Sequence, residues 1–546
     1  MKQQQTRLSK VALYARPNRN YENRIKLLQK FYQNNSLAFA LPFKSNELLA
    51  FFGHLTQNEN RPLAFATVRG YKSAIVWFYK ENKVVINETL NLQLESFLNG
   101  YKRKVSDLKL SGKMAVFEGK HHLSFVGYQL LATHMLKLDA SKMLFGWAFL
   151  LLQWNLIARS ATISTIMLEH IHWEGDAMLI STPKHKGDQE GAKAYSRHVF
   201  ANPQNPLLCP ILALAVLIFS RAFKHDYESS TVSQSQRRNF PLFDGAKSES
   251  RFSDVMNRTI AGIDDSVVHC LGADRKQLGT HSIRKGAASY CTGMISGPST
   301  IQVFLRAGWS LGNVQDRYLF GSAGGDQLTG RAVVGLPFTD STFASLPPHF
   351  NNEAIARIDW KRILPLYDQL PGTFKQVVPY LLASIIYHEA WLRKNLPSHH
   401  PLFASFLFAS GETGTLKQHV MAGIYQCKVS GMIATGIPPH LTMSNELKAI
   451  ACETAAIRQE LVTRCDSLPA ALTETMLNKF SVNGAIPLTT TQCSRCSRTQ
   501  SLDSRRWFSH KQMLLNLQLA HLSVKMLVHH MTIQDSRHGI IRVAIT

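Results

Sequence analysis

Acidic residues are scarce in this sequence, since 37 Asp and Glu stand against 61 Lys and Arg among 546 residues. The resulting formal net charge of +24 favours a polyanionic partner, with nucleic acid ahead of a membrane surface. Long apolar runs are also missing, because Met143–Leu152 and Ile211–Phe219 reach only half of the ~20 residues that a membrane span needs. The sequence therefore predicts no membrane partner.

Cysteine is also sparse, with 8 residues in the whole chain, most of them far apart. Such scattered cysteines are typical of reduced thiols in an intracellular protein, and the N-terminal segment lacks the apolar core of a secretory signal. The close pair Cys493 and Cys496 has neither a second CxxC nor a well-spaced pair of histidines, so zinc is the less favoured interpretation. We expect an intracellular protein that needs no metal and no other cofactor.

The positive charge is concentrated at the N-terminal end of the chain. Residues 1–120 hold 20 Lys and Arg against 8 Asp and Glu, which gives +12 of the total +24. After a basic arm over 1–20, apolar residues at helical spacing predict a helical bundle over 21–105, and a basic linker follows over 106–120. Six basic residues here are candidate DNA contacts, with a solvated charged face as the alternative for the lysines: Lys72, Lys80, Lys83, Lys102, Arg103 and Lys104.

The middle of the chain changes to more apolar helices and a short hairpin. Ser141–Asn155 is apolar almost all round, which predicts a buried helix. Ala177–Pro183 and Ser196–Phe200 are predicted strands on either side of a polar turn that carries Lys184 and Lys186. The expected fold class is therefore mainly α with a small β-hairpin.

A few polar residues in this region stand in a distinctive order. Arg159 interrupts an apolar stretch, where a lone arginine is costly unless it meets an anion. His281 and Arg284 lie three residues apart in HSIRKG, on one face of a predicted helix. Trp309 follows 25 residues later in AGWSLGNVQDRYLF, nine residues before Tyr318. Each of these residues is a weak signal alone, but their order and spacing together are a much stronger one.

The order of Arg, hairpin Lys, His-x-x-Arg, Gly-Trp and Tyr closely resembles the catalytic domain of the tyrosine recombinases, the phage-integrase family. The resemblance runs from about residue 117 to residue 318, and the basic bundle resembles the family's SAM-like core-binding domain in pattern only. It implies that the protein breaks and rejoins DNA strands through a 3′-phosphotyrosine, without ATP or metal. The implied catalytic residues are Arg159, Lys186, His281, Arg284, Trp309 and Tyr318.

The resemblance also implies a role for each of these side chains. Tyr318 is the nucleophile, and the two arginines hold the phosphate oxygens through charge-assisted hydrogen bonds. The histidine accepts or shares the tyrosine proton, and the tryptophan N–H donates to a phosphate oxygen. The hairpin lysine protonates the leaving 5′-hydroxyl, and Lys186 aligns better with that role than Lys184.

The sequence departs from the family pattern at two places. Thr162 stands where many relatives carry a carboxylate, so the charge that would orient His281 and Lys186 is missing from that position. The segment GSAGGDQLTGRAVVGLP after Tyr318 is predicted to be irregular, where many relatives have a helix that docks on a neighbouring protomer. The sequence therefore does not predict assembly through a helix that docks on a neighbouring protomer.

The layout after the catalytic segment resembles that of the eukaryotic Crypton-like transposon recombinases. We expect a catalytic domain over 121–345, a helical C-terminal region over 346–485 and an uncertain tail over 486–546. The resemblance implies DNA integration or transposition by a homo-multimer, with a dimer on each site and a tetramer in the synapse, in the nucleus if the source is eukaryotic. The alternatives are a type IB topoisomerase-like enzyme and a domesticated DNA-binding protein of the same fold that no longer cuts.

Helices are predicted in the C-terminal region over Trp360–Tyr367, over Gly372–Arg393 and over two further segments. One covers Lys417–Gly431, and the other covers Asn445–Cys465. The second carries an apolar stripe, which we interpret as a core face in preference to a self-association surface.

Overall fold

The computed structural model describes residues 18–58, 61–116, 119–182, 196–221, 240–309, 323–409 and 411–482. The chain divides into two compact units, a first unit of residues 1–442 and a second unit of residues 443–546. The described part is mainly helical with a small antiparallel sheet, so the expected fold class is confirmed. Five residues singled out in the sequence lie outside the described residues: Lys184, Lys186, Tyr318, Cys493 and Cys496.

Four helices form a bundle with a hydrophobic core of its own in the first unit. They are α1 (Asn18–Asn34), α2 (Ser45–Thr56), α3 (Phe65–Glu81) and α4 (Glu88–Leu110). Aromatic rings fill the core, among them Tyr32, Phe51 and Phe52, which are fully buried. The rings of Phe51 and Phe52 meet edge to face, an arrangement that their quadrupoles favour.

The last helix of this bundle is longer than the sequence predicts. Because α4 continues to Leu110, the first five residues of the predicted linker are helical. Tyr101 and Val105, near the end of α4, are buried in the bundle core. The Tyr101 hydroxyl also donates to the backbone carbonyl of Leu63 at 2.6 Å. Apolar residues thus keep helical spacing through the basic run, and their burial extends the helix.

A larger core surrounds α6 in the middle of the chain, and the predicted burial of this helix is confirmed. The helices of this part are α5 (Phe125–Met135), α6 (Ala140–Asn155), α7 (Ser160–Ile163), α8 (Pro210–Arg221), α9 (Ser248–Ala261), α10 (Thr280–Thr292), α11 (Thr300–Ala307) and α12 (Ala323–Val333). Short 3₁₀ turns lie at Leu168–His170, Pro206–Leu208, Asp265–Leu271 and Arg275–Gln277. Side chains cap three of these helices, since Ser124 accepts from the Gly127 N–H, Asp139 from the Lys142 N–H and Ser299 from the Gln302 N–H.

The predicted hairpin is present as β2 (Ala177–Ser181) and β3 (Ser196–Val199), which are antiparallel. A strand that the sequence analysis missed, β1 (Ile171–Glu174), pairs with the other edge of β2 and completes the order β1-β2-β3. Four residues give too short an alternation for a sequence pattern to reveal the strand. The turn between β2 and β3 lies outside the described residues.

The glycine-rich segment after Tyr318 contains a helix, α12, where the sequence predicts irregular structure. Arg331 anchors this helix, because it is fully buried, forms an ion pair with buried Asp176 and donates to three backbone carbonyls. Glycine lowers the stability of an isolated helix, but close packing explains why a glycine stands at position 330 of α12. A Cβ on Gly330 would lie 2.5 Å from the His198 carbonyl oxygen. Close packing against the sheet therefore explains a glycine that the sequence pattern assigns to a loop.

The residues after 349 pack into the same hydrophobic core as the middle of the chain. The helices are α13 (Asn352–Arg357), α14 (Trp360–Ile363), α15 (Gly372–Lys375), α16 (Val378–Tyr387), α17 (Glu389–Asn395), α18 (Phe406–Ala409) and α19 (Glu412–Lys417), with 3₁₀ turns at Ser341–Ala344 and Tyr367–Gln369. Trp173 of β1 stacks on Tyr380 of α16 with ring centroids 3.6 Å apart.

The prediction of a helix over Lys417–Gly431 is wrong. This segment instead forms strand β5 (Val420–Met421), which pairs with β4 (His349–Phe350), and turns follow it. Tyr425 and Gly431 have positive φ angles of 64° and 72°, which break any helical path.

The second unit contains most of one long helix, α20 (Pro439–Val482). Its predicted helical character is confirmed, but the interpretation of its apolar stripe as a core face is wrong. Leu447, Ile450 and Ile457 expose 58–64% of their surface. Among the residues that the structure describes, no helix combines the length and the apolar character that crossing a membrane requires.

Candidate active site

Arg159 lies at the junction of α6 and α7, where the chain turns sharply. Ile157 has a φ of +47°, a left-handed conformation that is costly for a β-branched residue, and its fully buried side chain holds it there. The turn ends α6 and leaves Arg159 extended, with φ −78° and ψ 149°, immediately before α7. The packing of Ile157 therefore sets the position of the half-buried Arg159.

His281 and Arg284 lie in the first turns of α10, three residues apart as the sequence predicts. Gln153 of α6 donates to the Thr280 carbonyl at 2.9 Å and fixes the beginning of the helix. Gly286 brings α10 close to the preceding chain, because a Cβ there would lie 2.1 Å from the Leu123 carbonyl oxygen. These two contacts place α10 beside the end of α6, which leads to Arg159.

Among the predicted cations that the structure describes, Arg284 is the most buried, with 5% of its surface exposed. Its Nη2 donates to the Ala307 carbonyl, and its guanidinium lies over the Trp309 ring at 5.2 Å from the centroid. Its buried Nε has no hydrogen-bond partner in the described part of the chain. A buried guanidinium N–H without an acceptor is costly, and an oxyanion would satisfy it.

The positive charges of the site are close enough to change one another's pKa values. Burial lowers the pKa of Arg284 to about 10, and the positive charges of Arg159 and Arg197 add to this effect. The pKa of His281 is also lowered, first by partial desolvation and then by Arg159, Arg284 and Lys285. His281 is therefore mostly neutral at pH 7 and able to accept a proton.

Arg197 is a cation of this cluster that the sequence analysis missed. It lies on β3, donates through Nη1 to the Thr182 hydroxyl at 2.6 Å and through Nε to the Arg306 carbonyl at 2.7 Å. Burial lowers its pKa to about 10. The available signal was an arginine within the predicted strand Ser196–Phe200, which ends in the apolar residues Val199 and Phe200.

Glu249 is a second residue that the sequence analysis missed. Thr162 is buried on α7, at the position where a carboxylate was expected from the family pattern. Glu249 of α9 accepts from the Ser160 hydroxyl at 3.1 Å and opposes the lowering of the pKa of His281. A carboxylate is thus present near His281, but another helix supplies it. No local pattern reveals it, because the contact depends on how α9 packs against α7.

A cleft of about 680 Å³ opens beside Trp309. Lys120, His121, His122 and Lys285 line it, together with apolar and hydroxyl side chains. The Lys285 ammonium donates to the Lys120 carbonyl, which ties α10 to the segment before α5. Within the described residues, no group of three or more His, Cys, Asp or Glu is placed to hold a metal ion. The cleft therefore presents positive charge and aromatic surface next to Arg284.

The structure separates the predicted DNA contacts of the bundle into two kinds. Lys72 is buried and forms an ion pair with Glu95, so the prediction that it lies on the polar face is wrong. This pair lowers the pKa of Glu95. The other five are exposed: Lys80, Lys83, Lys102, Arg103 and Lys104.

No known protein family matches the sequence, and no curated protein matches it. Among solved structures, a weak similarity links the chain to one described as "Ndc10: a platform for inner kinetochore assembly in budding yeast". The two chains are 12% identical over 69% of this chain and 94% of that chain, with a TM-score of 0.21. Similarity at this level indicates neither a shared fold nor a shared function, so the site is interpreted from its own residues.

Proposed function

We propose that this protein breaks and rejoins DNA strands as a tyrosine recombinase of the integrase or transposon type. The observation that carries the proposal is the guanidinium of Arg284, which lies over the ring of Trp309 and is close enough to Arg159 and His281 for their charges to interact. These residues come from three separate segments of the chain and were chosen from the sequence for this chemistry. A buried arginine with an unpartnered N–H, as Arg284 is, is suited to a phosphodiester.

The two arginines act on the phosphate. Attack on a phosphodiester adds negative charge to its non-bridging oxygens, and preorganised guanidiniums stabilise that charge. Arg284 is held by the Ala307 carbonyl and by the Trp309 ring, so little reorganisation is needed when the phosphate binds. Arg197 adds positive potential at Arg284.

Tyr318 and the hairpin lysine complete the proposed reaction. The Tyr318 oxygen forms a bond to phosphorus while the bond from phosphorus to the 5′-oxygen breaks. The tyrosine proton passes to neutral His281, and Lys186, or Lys184 in its place, gives a proton to the leaving 5′-oxygen. A 5′-hydroxyl of a second strand then attacks the phosphotyrosine and reverses these steps, so the bond energy is conserved without ATP.

The rest of the proposal concerns DNA binding and assembly. The helical bundle serves as a core-binding domain, and the cations Lys80, Lys83 and Lys102 contact the phosphate backbone. Joining two duplexes requires more than one protomer, with a dimer on each site and a tetramer in the synapse. These features fit the recombinase of a Crypton-like element that integrates or transposes in a nucleus.

A covalent trap tests the chemistry. We would incubate the full chain with a pool of duplexes that carry a nick and randomised sequence beside it, and collect protein–DNA adducts that survive denaturation. Tyr318→Phe is expected to abolish the adduct, whereas Tyr387→Phe, which removes an exposed hydroxyl on α16, is expected to retain it. An adduct that persists in Tyr318→Phe would exclude Tyr318 as the nucleophile.

The arginine variants distinguish this proposal from its alternatives. Arg159→Ala and Arg284→Ala are expected to lower adduct formation at least about 100-fold with DNA binding nearly unchanged. Arg258→Ala, at an exposed arginine of α9, is the matched control. Binding without any adduct in the wild-type chain would favour the binding-only protein. Relaxation of a supercoiled plasmid without joining of two duplexes would favour the topoisomerase.

A further inference from the structure

Helix α20 carries an apolar seam that faces solvent. The seam consists of Met443, Leu447, Ile450, Ile457 and Leu461, whose side chains are 57–64% exposed. One or two exposed apolar residues are ordinary on a protein surface, but five along one face of a single helix are not. At 1.5 Å per residue the row is about 28 Å long. An apolar surface of this length indicates a docking partner.

The spacing of the seam is that of a coiled coil. Its members follow one another at intervals of four, three, seven and four residues, with Thr454 at the intermediate position. In a heptad a–g, Leu447, Thr454 and Leu461 take position a, while Met443, Ile450 and Ile457 take position d. The Thr454 hydroxyl donates to the Ile450 carbonyl at 2.7 Å, so this polar residue is satisfied within its own helix.

The charges beside the seam select both the partner and its direction. Glutamates occupy three successive g positions, 446, 453 and 460, and Arg458 occupies an e position. In a parallel pair of identical helices, g of one chain meets the following e of the other, so Glu453 meets Arg458 of the second copy, twice by symmetry. An antiparallel pair places g opposite g, and the glutamates would then face one another. The surface is therefore complementary to itself in the parallel direction.

We propose that residues 443–464 of two copies of this chain form a parallel, in-register, two-stranded coiled coil. The seam supplies the apolar contact, the Glu453–Arg458 pairs set the direction, and Arg464, which pairs with Glu460 on its own helix, ends the seam. This dimer is independent of the proposed cleavage chemistry. Its test measures mass and crosslinking, so its failure and the failure of the proposed function are separate outcomes.

Sedimentation of the full chain tests the seam. We expect the wild type to sediment at micromolar concentration with twice the chain mass of 61.3 kDa. Ile457→Asp is expected to sediment as the monomer, whereas Ala456→Asp, at an exposed c position, introduces the same charge and is expected to remain a dimer. A monomeric wild type, or an Ile457→Asp variant that remains a dimer, would overturn the proposal. Melting curves check that both variants fold, as expected for residues exposed in the single chain.

Crosslinking and charge reversal test the direction and register. Under oxidising conditions Ile450→Cys is expected to give a disulfide-linked dimer, whereas Lys448→Cys, at the outward b position, is not. Glu453→Lys is expected to weaken the dimer about tenfold, and the double variant Glu453→Lys with Arg458→Glu is expected to restore it. Equal crosslinking at 448 and 450, or a double variant as weak as the single one, would overturn the parallel arrangement.

Discussion

The guanidinium of Arg284 lies over the indole ring of Trp309, with its Cζ 5.2 Å from the ring centroid. Phe304 meets the same ring edge to face, with ring centroids 4.9 Å apart, so a second side chain packs on the indole. The ring limits the orientations of Arg284, while Ala307 accepts from only one of its nitrogens. The orientation of the remaining N–H groups of Arg284 is therefore set before any phosphate binds.

This relationship predicts a graded effect of substitutions at Trp309. Trp309→Ala is expected to lower the rate of covalent adduct formation about 100-fold, because both the ring and the N–H donor are lost. Trp309→Phe keeps an aromatic face for Arg284 and is expected to lower the rate only about tenfold. Trp360→Phe, at a tryptophan of α14 that stacks on Tyr367, is the control. Equal losses for Phe and Ala would show that the ring does not position Arg284.

Replacing Glu249 is expected to shift the pH dependence of cleavage. Glu249 opposes the lowering of the pKa of His281, so Glu249→Gln lowers that pKa further. If neutral His281 accepts the tyrosine proton, cleavage activity rises as pH rises through the pKa of His281. Glu249→Gln is therefore expected to move the acidic limb of the pH–activity profile to lower pH. Single-turnover adduct formation between about pH 5 and pH 8 measures the shift. Glu174→Gln, at an exposed end of β1, should leave the limb in place, and a move to higher pH in Glu249→Gln would contradict the assignment.

The basic residues of the bundle are expected to differ in their effect on DNA binding. Lys102→Ala removes an exposed cation and should lower the slope of log affinity against log salt by about 1. Lys72→Ala should leave that slope unchanged and lower the stability of the bundle instead, since it breaks the pair with Glu95. Equilibrium binding at several salt concentrations, with a thermal melt of each variant, separates the two effects. An unchanged slope in Lys102→Ala would remove α4 from the DNA-binding surface.

Acid is expected to destabilise the protein through His388. This side chain is 5% exposed, its Nε2 has no partner among the described residues, and burial lowers its pKa to about 4. The unfolded chain has the ordinary value of ~6.5, so the unfolded state binds a proton that the folded state excludes as pH falls. The contribution of His388 is therefore complete above pH ~6.5 and is lost at ~1.4 kcal/mol per pH unit down to about pH 4. Denaturant titrations should show a weaker pH dependence in His388→Leu, and no change in the exposed control His419→Leu.

The sequence predicts those parts of the molecule that depend on local pattern. The helix α6 is recognisable because it is apolar on nearly all sides, and the pairing of β2 with β3 follows from two short apolar runs around a polar turn. The spacing of His281 and Arg284 on α10 is likewise a helical property. Arg159 was found because a lone arginine in an apolar stretch needs an anion.

The features that the sequence analysis missed depend on contacts between distant segments. Arg197 joins the site only because β3 lies against α11, and Glu249 joins it only because α9 packs against α7. Lys72 looks like any other surface lysine until the fold places Glu95 beside it. The apolar stripe of α20 has the same periodicity whether it is buried in one chain or exposed, so the choice between a core face and a docking face required the structure.

Asp176 and Arg331 form a fully buried pair that is expected to be the most sensitive polar contact of the first unit. Asp176 also accepts from the backbone N–H and the hydroxyl of Thr435, at 3.0 Å and 2.7 Å, so one carboxylate joins three segments of the chain. Asp176→Asn leaves the Arg331 charge buried without a counterion, and the free energy of unfolding is expected to fall by about 3–5 kcal/mol.

The matched comparison is Glu95→Gln, which breaks the pair with Lys72 at a partner that is 55% exposed and should cost at most ~1 kcal/mol. The double variant Asp176→Leu with Arg331→Met removes both charges and is expected to recover part of the loss, because an uncompensated buried charge costs more than the pair contributes. Denaturant titrations of the four chains measure these differences. A double variant less stable than Asp176→Asn would show that the hydrogen bonds of Arg331 to its backbone carbonyls, and not the burial of its charge, hold α12 in place.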